Sequence, residues 1–313
     1  MSYPIEEKLV VGVASSALFD LSESNQVFEQ QGVAAYRQHQ QTHIDNPLPK
    51  GVAFPFIRRF LSINQAFPDR QPVEVVLLSR NSPETGLRVF RSIEHYGLDI
   101  QRAAFTGGGL PHEFIHAFNA SLFLSANPPD VQQAIACGFP AGLVLPGAVS
   151  DDEADLQLRV AFDFDGVIAD DESEAVYKSS DLATFQAHEQ QNRQIPHSPG
   201  PLADLFRKLS HLQQLERERP GDSQQKILRV SIVTARGAPA HERVLTTLKN
   251  WGVDTDEAFF LGGMQKLRIL QVLKPHIFFD DQISHLNAGQ AAIPMVHIPF
   301  GVANPPQSSC EPA

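Results

Sequence analysis

The sequence predicts an α/β protein of two tandem units, each a parallel sheet sandwiched by helices, and three observations carry that reading. The chain repeats itself at an offset of 155 residues, so that residues 75–79 (VVLLS) fall on 230–234 (VSIVT). Short β-branched runs alternate with segments of helical apolar spacing, the pattern of parallel strands covered on both faces. With 313 residues, 42% of them apolar and 19% charged, the chain can bury a full core.

Taken in order, the first unit opens with residues 11–15, which match 161–165 at a looser offset near 150. Tyr36 with His39 then lies near the place of Phe185 with His188. After residues 75–79, Tyr96-Gly97 falls on Trp251-Gly252, Phe105 with Gly107-Gly108 on Phe260 with Gly262-Gly263, and residues 122–124 on 277–279. In the second unit strands are expected over residues 159–164, 229–233, 258–260, 276–279 and 295–298. Residues 239–250 and 265–273 have helical spacing and stop near Gly252 and Pro275. The boundary is set at 150/151, with an insertion over about 169–228 in the second unit.

Composition narrows the function. A formal charge of −11 and a pI near 5.5 exclude a broad surface for nucleic acid polymers, which need clustered Lys and Arg. An anionic ligand would need a local positive pocket or a metal. The two cysteines, Cys137 and Cys310, have no metal-type spacing and suit a reducing compartment. The amino terminus lacks the basic and apolar regions of a signal peptide, and no window reaches the roughly 18 apolar residues of a membrane span. A cytoplasmic protein is expected.

In such sheets ligands bind at the carboxyl ends of the strands. There the second unit offers Asp163-Phe164-Asp165-Gly166, then Thr234-Ala235-Arg236, then Lys266 at a helix start after Gly262-Gly263, and lastly Asp280-Asp281. Carboxylates can attack phosphorus only if the phosphate charge is neutralised, so this set asks for a hard cation bound by oxygens, which Mg²⁺ fits. The order resembles the four motifs of the haloacid dehalogenase (HAD) superfamily over residues 159–301. That resemblance implies Asp163 as nucleophile, and Asp163, Asp165, Asp280 and Asp281 around the metal. It also implies Thr234 and Lys266 on the phosphate, and Asp165 as the acid and then the base of a two-step hydrolysis. The second aspartate points to a phosphatase or mutase, because dehalogenases lack an acid there and transport ATPases carry threonine.

Asp163 and Thr234 are 71 residues apart and Thr234 and Lys266 only 32, so the insertion is expected to be a helical cap of the kind the superfamily carries in its first interval. Within it Phe185 and His188 are candidates to stack on and hydrogen-bond a base, with Arg236 as a further substrate contact; core packing of Phe185 is the equally weighted alternative. At finer grain the chain resembles the cytosolic 5′-nucleotidase I family. The matching pieces include AFPFIRR (53–59), RVAFDFDGVIADDESE (159–174), HEQ (188–190), VTARG (233–237), WGVDTDEAFFLGG (251–263) and KPHIFFDDQ (274–282). Mammalian members carry Gly between the two aspartates and lack the Gly after them, so Phe164 and Gly166 follow the general superfamily pattern. Membership implies hydrolysis of nucleoside 5′-monophosphates, AMP among them, with Mg²⁺. A nucleotide effector and a homo-oligomer are both compatible with the sequence.

Two rival readings come from other segments. His112-Glu113-Phe114-Ile115-His116 is a literal H-E-x-x-H, which on a helix would place two zinc ligands and a base on one face, but no Glu or His follows between 117 and 152 to serve as the third ligand. The first unit also has Val13 and Ser15 at the two aspartate positions, Ser79 for Thr234, Pro111 for Lys266 and Ser125-Ala126 for the acidic pair. Such a unit cannot hold magnesium. It reads as a degenerate, non-catalytic copy, and its Gly107-Gly108-Gly109 run suits either phosphate binding or a tight turn.

Overall fold

The computed structural model describes residues 3–219, 226–286, 293–305 and 310. Its strands are β1 (Leu9–Val13), β2 (Val73–Ser79), β3 (Arg102–Phe105), β4 (Ala120–Ser125), β5 (Ala141–Val144), β6 (Leu158–Phe162), β7 (Leu228–Thr234), β8 (Glu257–Phe260), β9 (Ile277–Asp280) and β10 (Met295–His297). The helices are α1 (Ser15–Leu18), α2 (Ser22–Thr42), α3 (Phe54–Ala66), α4 (Pro83–His95), α5 (Pro128–Ala136), α6 (Glu172–Ser179), α7 (Leu182–Gln191), α8 (Ala203–Arg217), α9 (His241–Trp251) and α10 (Leu267–Leu273).

The strands form one sheet in the order β3-β2-β1-β4-β5-β10-β9-β6-β7-β8. Each half is parallel and has the same internal order, with β1 between β2 and β4 and β6 between β7 and β9. Two separate sheets were the expectation. Instead β5 and β10 pair antiparallel, Val144 opposite Val296 and Leu143 opposite His297, so each half hides the open edge of the other. Gly142 lets this seam close, because a Cβ there would stand 2.4 Å from Val296 Cγ1.

Central strands β1, β2 and β4 are buried at every position, as a sheet covered on both faces requires. Helix α3 packs on β2 and β6, and α8 packs on β7 and on β1 and β4 of the other half. One apolar cluster therefore runs from Leu9 to Ile298 across the residue-150 boundary, and a smaller one, with Val233, Leu270 and Phe278, lies within the second half. Helix α8 falls inside the expected 169–228 insertion, yet its apolar stripe of Leu205, Phe206, Leu209 and Leu212 lies on the sheet. Only α6 and α7 remain to cover the strand ends. In the first half α2 occupies the matching place, broken by Gly32 at φ +80° as α6 and α7 are broken by the residues between them. Strand β6 stops two residues short of the expected end because the chain turns at Asp163, whose side chain accepts the Phe164 N–H at 2.7 Å. Contrary to the reading that they suit a reducing compartment, the two cysteines are joined as a Cys137–Cys310 disulfide, which links the end of α5 to the carboxyl-terminal tail.

Candidate active site

The ends of β6, β7 and β9 and the start of α10 converge on a cavity of about 600 Å³ whose walls include Asp163, Asp165, Thr234, Arg236, Lys266 and Phe185. Lys266 Nζ sits 2.6 Å from Asp163 Oδ2 and 2.7 Å from Asp280 Oδ2, with all three side chains at most 5% exposed. Asp280 also accepts the Gln282 N–H at 2.9 Å and faces His285 Nδ1 at 3.2 Å. Its neighbour Asp281 is equally buried, but its Oδ1 has no partner. Gly166 explains how Asp281 comes so near: the backbone there has φ +69°, and a Cβ would meet the Asp281 carboxyl carbon at 2.7 Å.

Three buried carboxylates thus crowd one ammonium, which two of them hold. Burial pushes Asp163 up to about 7, with Lys266 opposing and Asp280 adding to the rise. Asp281 is pushed up to about 9 by burial and then by Asp163 and Asp280. Burial acts on Asp280 in the same sense, but Lys266 and His285 outweigh it and hold that carboxyl below its usual range. Lys266 is lost from solvent, yet the two aspartates raise its pKa. Three carboxylates against one ammonium and an orphaned carboxylate oxygen fit one hard divalent cation. Asp163 and Asp280, with His285, also lie close enough for ligand atoms of all three to meet one ion.

Asp165 is differently placed. Arg236 grips both of its oxygens, Nε to Oδ2 at 2.7 Å and Nη2 to Oδ1 at 2.6 Å. The remaining Arg236 donors go to Glu189, to the Ala240 carbonyl and to His197 Nε2. All five N–H groups are engaged, so this side chain has none to offer a substrate in this arrangement. Thr234 stands at the end of β7 with Oγ1 accepting the Arg236 N–H at 3.2 Å. Phe185 is half-buried on the cavity wall, edge-on to Tyr177. His188 turns away from the cavity, its Nδ1 3.2 Å from Glu189 and its Nε2 3.5 Å from Glu172.

The sequence reading noted Glu189 only within the HEQ match on the cap helix and singled out neither Arg243 nor His197; all three knit the cover to the core. Glu189 on α7 is fully buried and accepts from Ser173, Arg236 and Arg243. Burial opposes its ionisation, but His197, Arg236 and Ser173 prevail and its carboxyl lies well below the ordinary range. A signal for Arg243 did exist, since it interrupts the buried stripe of Val244, Thr247 and Leu248 on α9. Asp170, Glu172 and His197 form a second cluster that could hold a metal. Arg236 Nη2 lies 3.2 Å from His197 Nε2, while His197 Nδ1 faces Asp170 Oδ1 at 3.7 Å with neither atom hydrogen-bonded.

The H-E-x-x-H segment does not form the helix its zinc reading needs. Pro111–Phe114 is a single 3₁₀ turn, with His112 buried against Cys137 and Phe139 and His116 exposed, so the two rings do not share a face.

Comparison with known proteins bears on the same residues. A family model described as 5′-nucleotidase matches residues 1–305. Human cytosolic 5′-nucleotidase 1B is 35% identical over 291 residues, which is 90% of this chain and 47% of that protein, so the chain spans about half the length of this relative. No solved structure gives a significant match. A match over nearly the whole length, through both halves and all four strand-end segments, places this chain in the 5′-nucleotidase family.

Proposed function

We propose that the protein hydrolyses nucleoside 5′-monophosphates, AMP among them, to nucleoside and phosphate with Mg²⁺, through an aspartyl-phosphate on Asp163. The observation that carries this reading is the buried Asp163–Lys266–Asp280 set with the unpartnered Asp281 Oδ1 beside it. Asp163, Asp280 and Asp281 would hold the cation, with Asp165 at its edge. When bound, the cation neutralises phosphate oxygens and so lets a carboxylate approach phosphorus.

In the first step Asp163 Oδ bonds to phosphorus, the P–O5′ bond breaks, and a proton passes from Asp165 to O5′. In the second, water attacks phosphorus and gives a proton to Asp165 as the bond to Asp163 breaks. Protonating Asp165 displaces one of its two Arg236 contacts. Lys266 and Thr234 hold the phosphate oxygens, while Phe185 with Tyr177 offers an aromatic wall to the base, and His188 acts through Glu189. A cytoplasmic setting follows the relative's name. The first half is the non-catalytic copy, and its own cavity of about 600 Å³, with Ser15, Ser79, Asn81 and Tyr36 in its wall, is the place for a nucleotide effector. A shift in KM caused by a nucleotide that is not itself hydrolysed tests that assignment.

The direct test is phosphate release from nucleoside 5′- and 3′-monophosphates and sugar phosphates, with and without Mg²⁺. AMP or a related 5′-monophosphate is expected to lead, and chelation to abolish turnover. Equal rates on 3′-nucleotides and sugar phosphates would remove the nucleotidase reading and leave a general phosphatase.

A further inference from the structure

The Asp165 side chain has no hydrogen-bonding partner among the described residues other than Arg236. Three more carboxylates, Asp163, Asp280 and Asp281, stand close by, and the only ammonium in their midst among the described residues is already shared by two of them. Left to itself, Asp165 would be driven away from the nucleophile by like charge. Arg236 prevents that with a bidentate grip from a side chain only 3% exposed. The guanidinium is itself fixed from the cover, because Glu189 on α7 accepts from Nη1 while Ser173 on α6 and Arg243 on α9 hold Glu189.

The two halves supply an internal comparison. Arg243 on α9 and Arg88 on α4 occupy matching places: each is buried, each gives Nε to a loop carbonyl (Ile195 and Asn46) and Nη1 to the helix that follows the first strand's loop (Glu189 on α7 and Gln40 on α2). This brace is present whether or not the half carries carboxylates. Two residues past the end of the second strand, however, Arg236 in one half is Asn81 in the other, and Asp165 is Ser15. Asn81 Nδ2 reaches Ser15 Oγ at 3.5 Å, and Tyr36 on α2 donates to Asn81 Oδ1. The arginine accompanies the carboxylate, not the scaffold.

We propose that Arg236, anchored from the cap by Glu189, is the positioning residue for Asp165, so that seating α6 and α7 and placing the proton-transfer carboxylate are one event. The inference rests on the functional reading above, in which Asp165 protonates the leaving oxygen. Arg236 does not touch substrate; it acts only through Asp165. Replacing it should harm the step that needs a proton and spare one that does not.

The test uses the full chain with Mg²⁺, comparing Arg236→Lys and Glu189→Gln with Asp165→Asn, and measures kcat/KM, which reports the first half-reaction. Two substrates are needed: a nucleoside 5′-monophosphate, whose alkoxide leaves poorly unless protonated, and p-nitrophenyl phosphate, whose phenolate leaves unaided. Arg236→Lys keeps the charge but loses the two-pronged grip. It is expected to lower kcat/KM on the nucleotide by about 100-fold and on p-nitrophenyl phosphate by less than about threefold, reproducing Asp165→Asn in a milder form. Glu189→Gln should show the same pattern, weaker, which keeps the proposal testable should Arg236→Lys fail to fold. Equal losses on both substrates, or a rise in nucleotide KM with kcat unchanged, overturn the proposal and make Arg236 a brace or a substrate contact. A wild-type protein that hydrolyses neither substrate would overturn the functional reading instead.

Discussion

Asp163 is held by Lys266 on one side and faces the unpartnered Asp281 on the other, so its substitution separates chemistry from folding. Asp163→Asn keeps the shape and removes the proposed nucleophile; turnover should fall by more than about 100-fold while the thermal transition stays cooperative. A variant within tenfold of the wild-type rate would make covalent catalysis at this residue untenable. Gly166→Ala probes the cation site from the backbone. Its Cβ would collide with the Asp281 carboxyl in a left-handed conformation that costs a side chain about 1–2 kcal/mol. The Mg²⁺ concentration for half-maximal activity should rise, and an unchanged Mg²⁺ titration would show that Asp281 does not hold the ion. These residues were legible because reactive types at strand ends stand out against apolar runs. Arg236 was legible only as a charge: its partners Glu189 and His197 come from distant segments, and only the fold reveals that its five donors are taken.

At the level of elements, periodicity placed strands β6 to β10 and helices α9 and α10 within about two residues, since short buried strands and amphipathic helices carry their spacing in the sequence. The insertion was read too large. Its last helix, α8, has an apolar stripe like any core helix, and loop length alone could not say that the stripe meets β1 and β4 across the molecule. Helix α7 is tied down instead by a buried charge. Because the Glu189 pKa is depressed in the fold, its stabilisation is fully present above its ordinary value of 4.5 and is lost as pH falls toward the folded pKa. The melting temperature of the wild type should therefore drop below about pH 4.5 more steeply than that of Glu189→Gln, whose amide does not titrate. Identical slopes would show that Glu189 is not ionised in the fold.

For the whole molecule, the repeat in the sequence is matched by one strand order in both halves, but nothing in the repeat says that β5 and β10 should join them. The joint depends on Gly142 and on the straddling helices α3 and α8. Gly142→Val should overpack the seam, lowering stability by about 1–3 kcal/mol with little change in KM, as read by denaturant unfolding and steady-state kinetics. A shift in KM without loss of stability would mean that the seam reaches the catalytic cavity. The central claim, that phosphate passes through Asp163, is tested most directly by acid-quenching the reaction with phosphorus-labelled nucleoside 5′-monophosphate within one turnover and mapping the labelled peptide. Label is expected on Asp163, convertible to homoserine by borohydride and absent from Asp163→Asn; label on any other residue, or none while nucleoside has already been released, would contradict it.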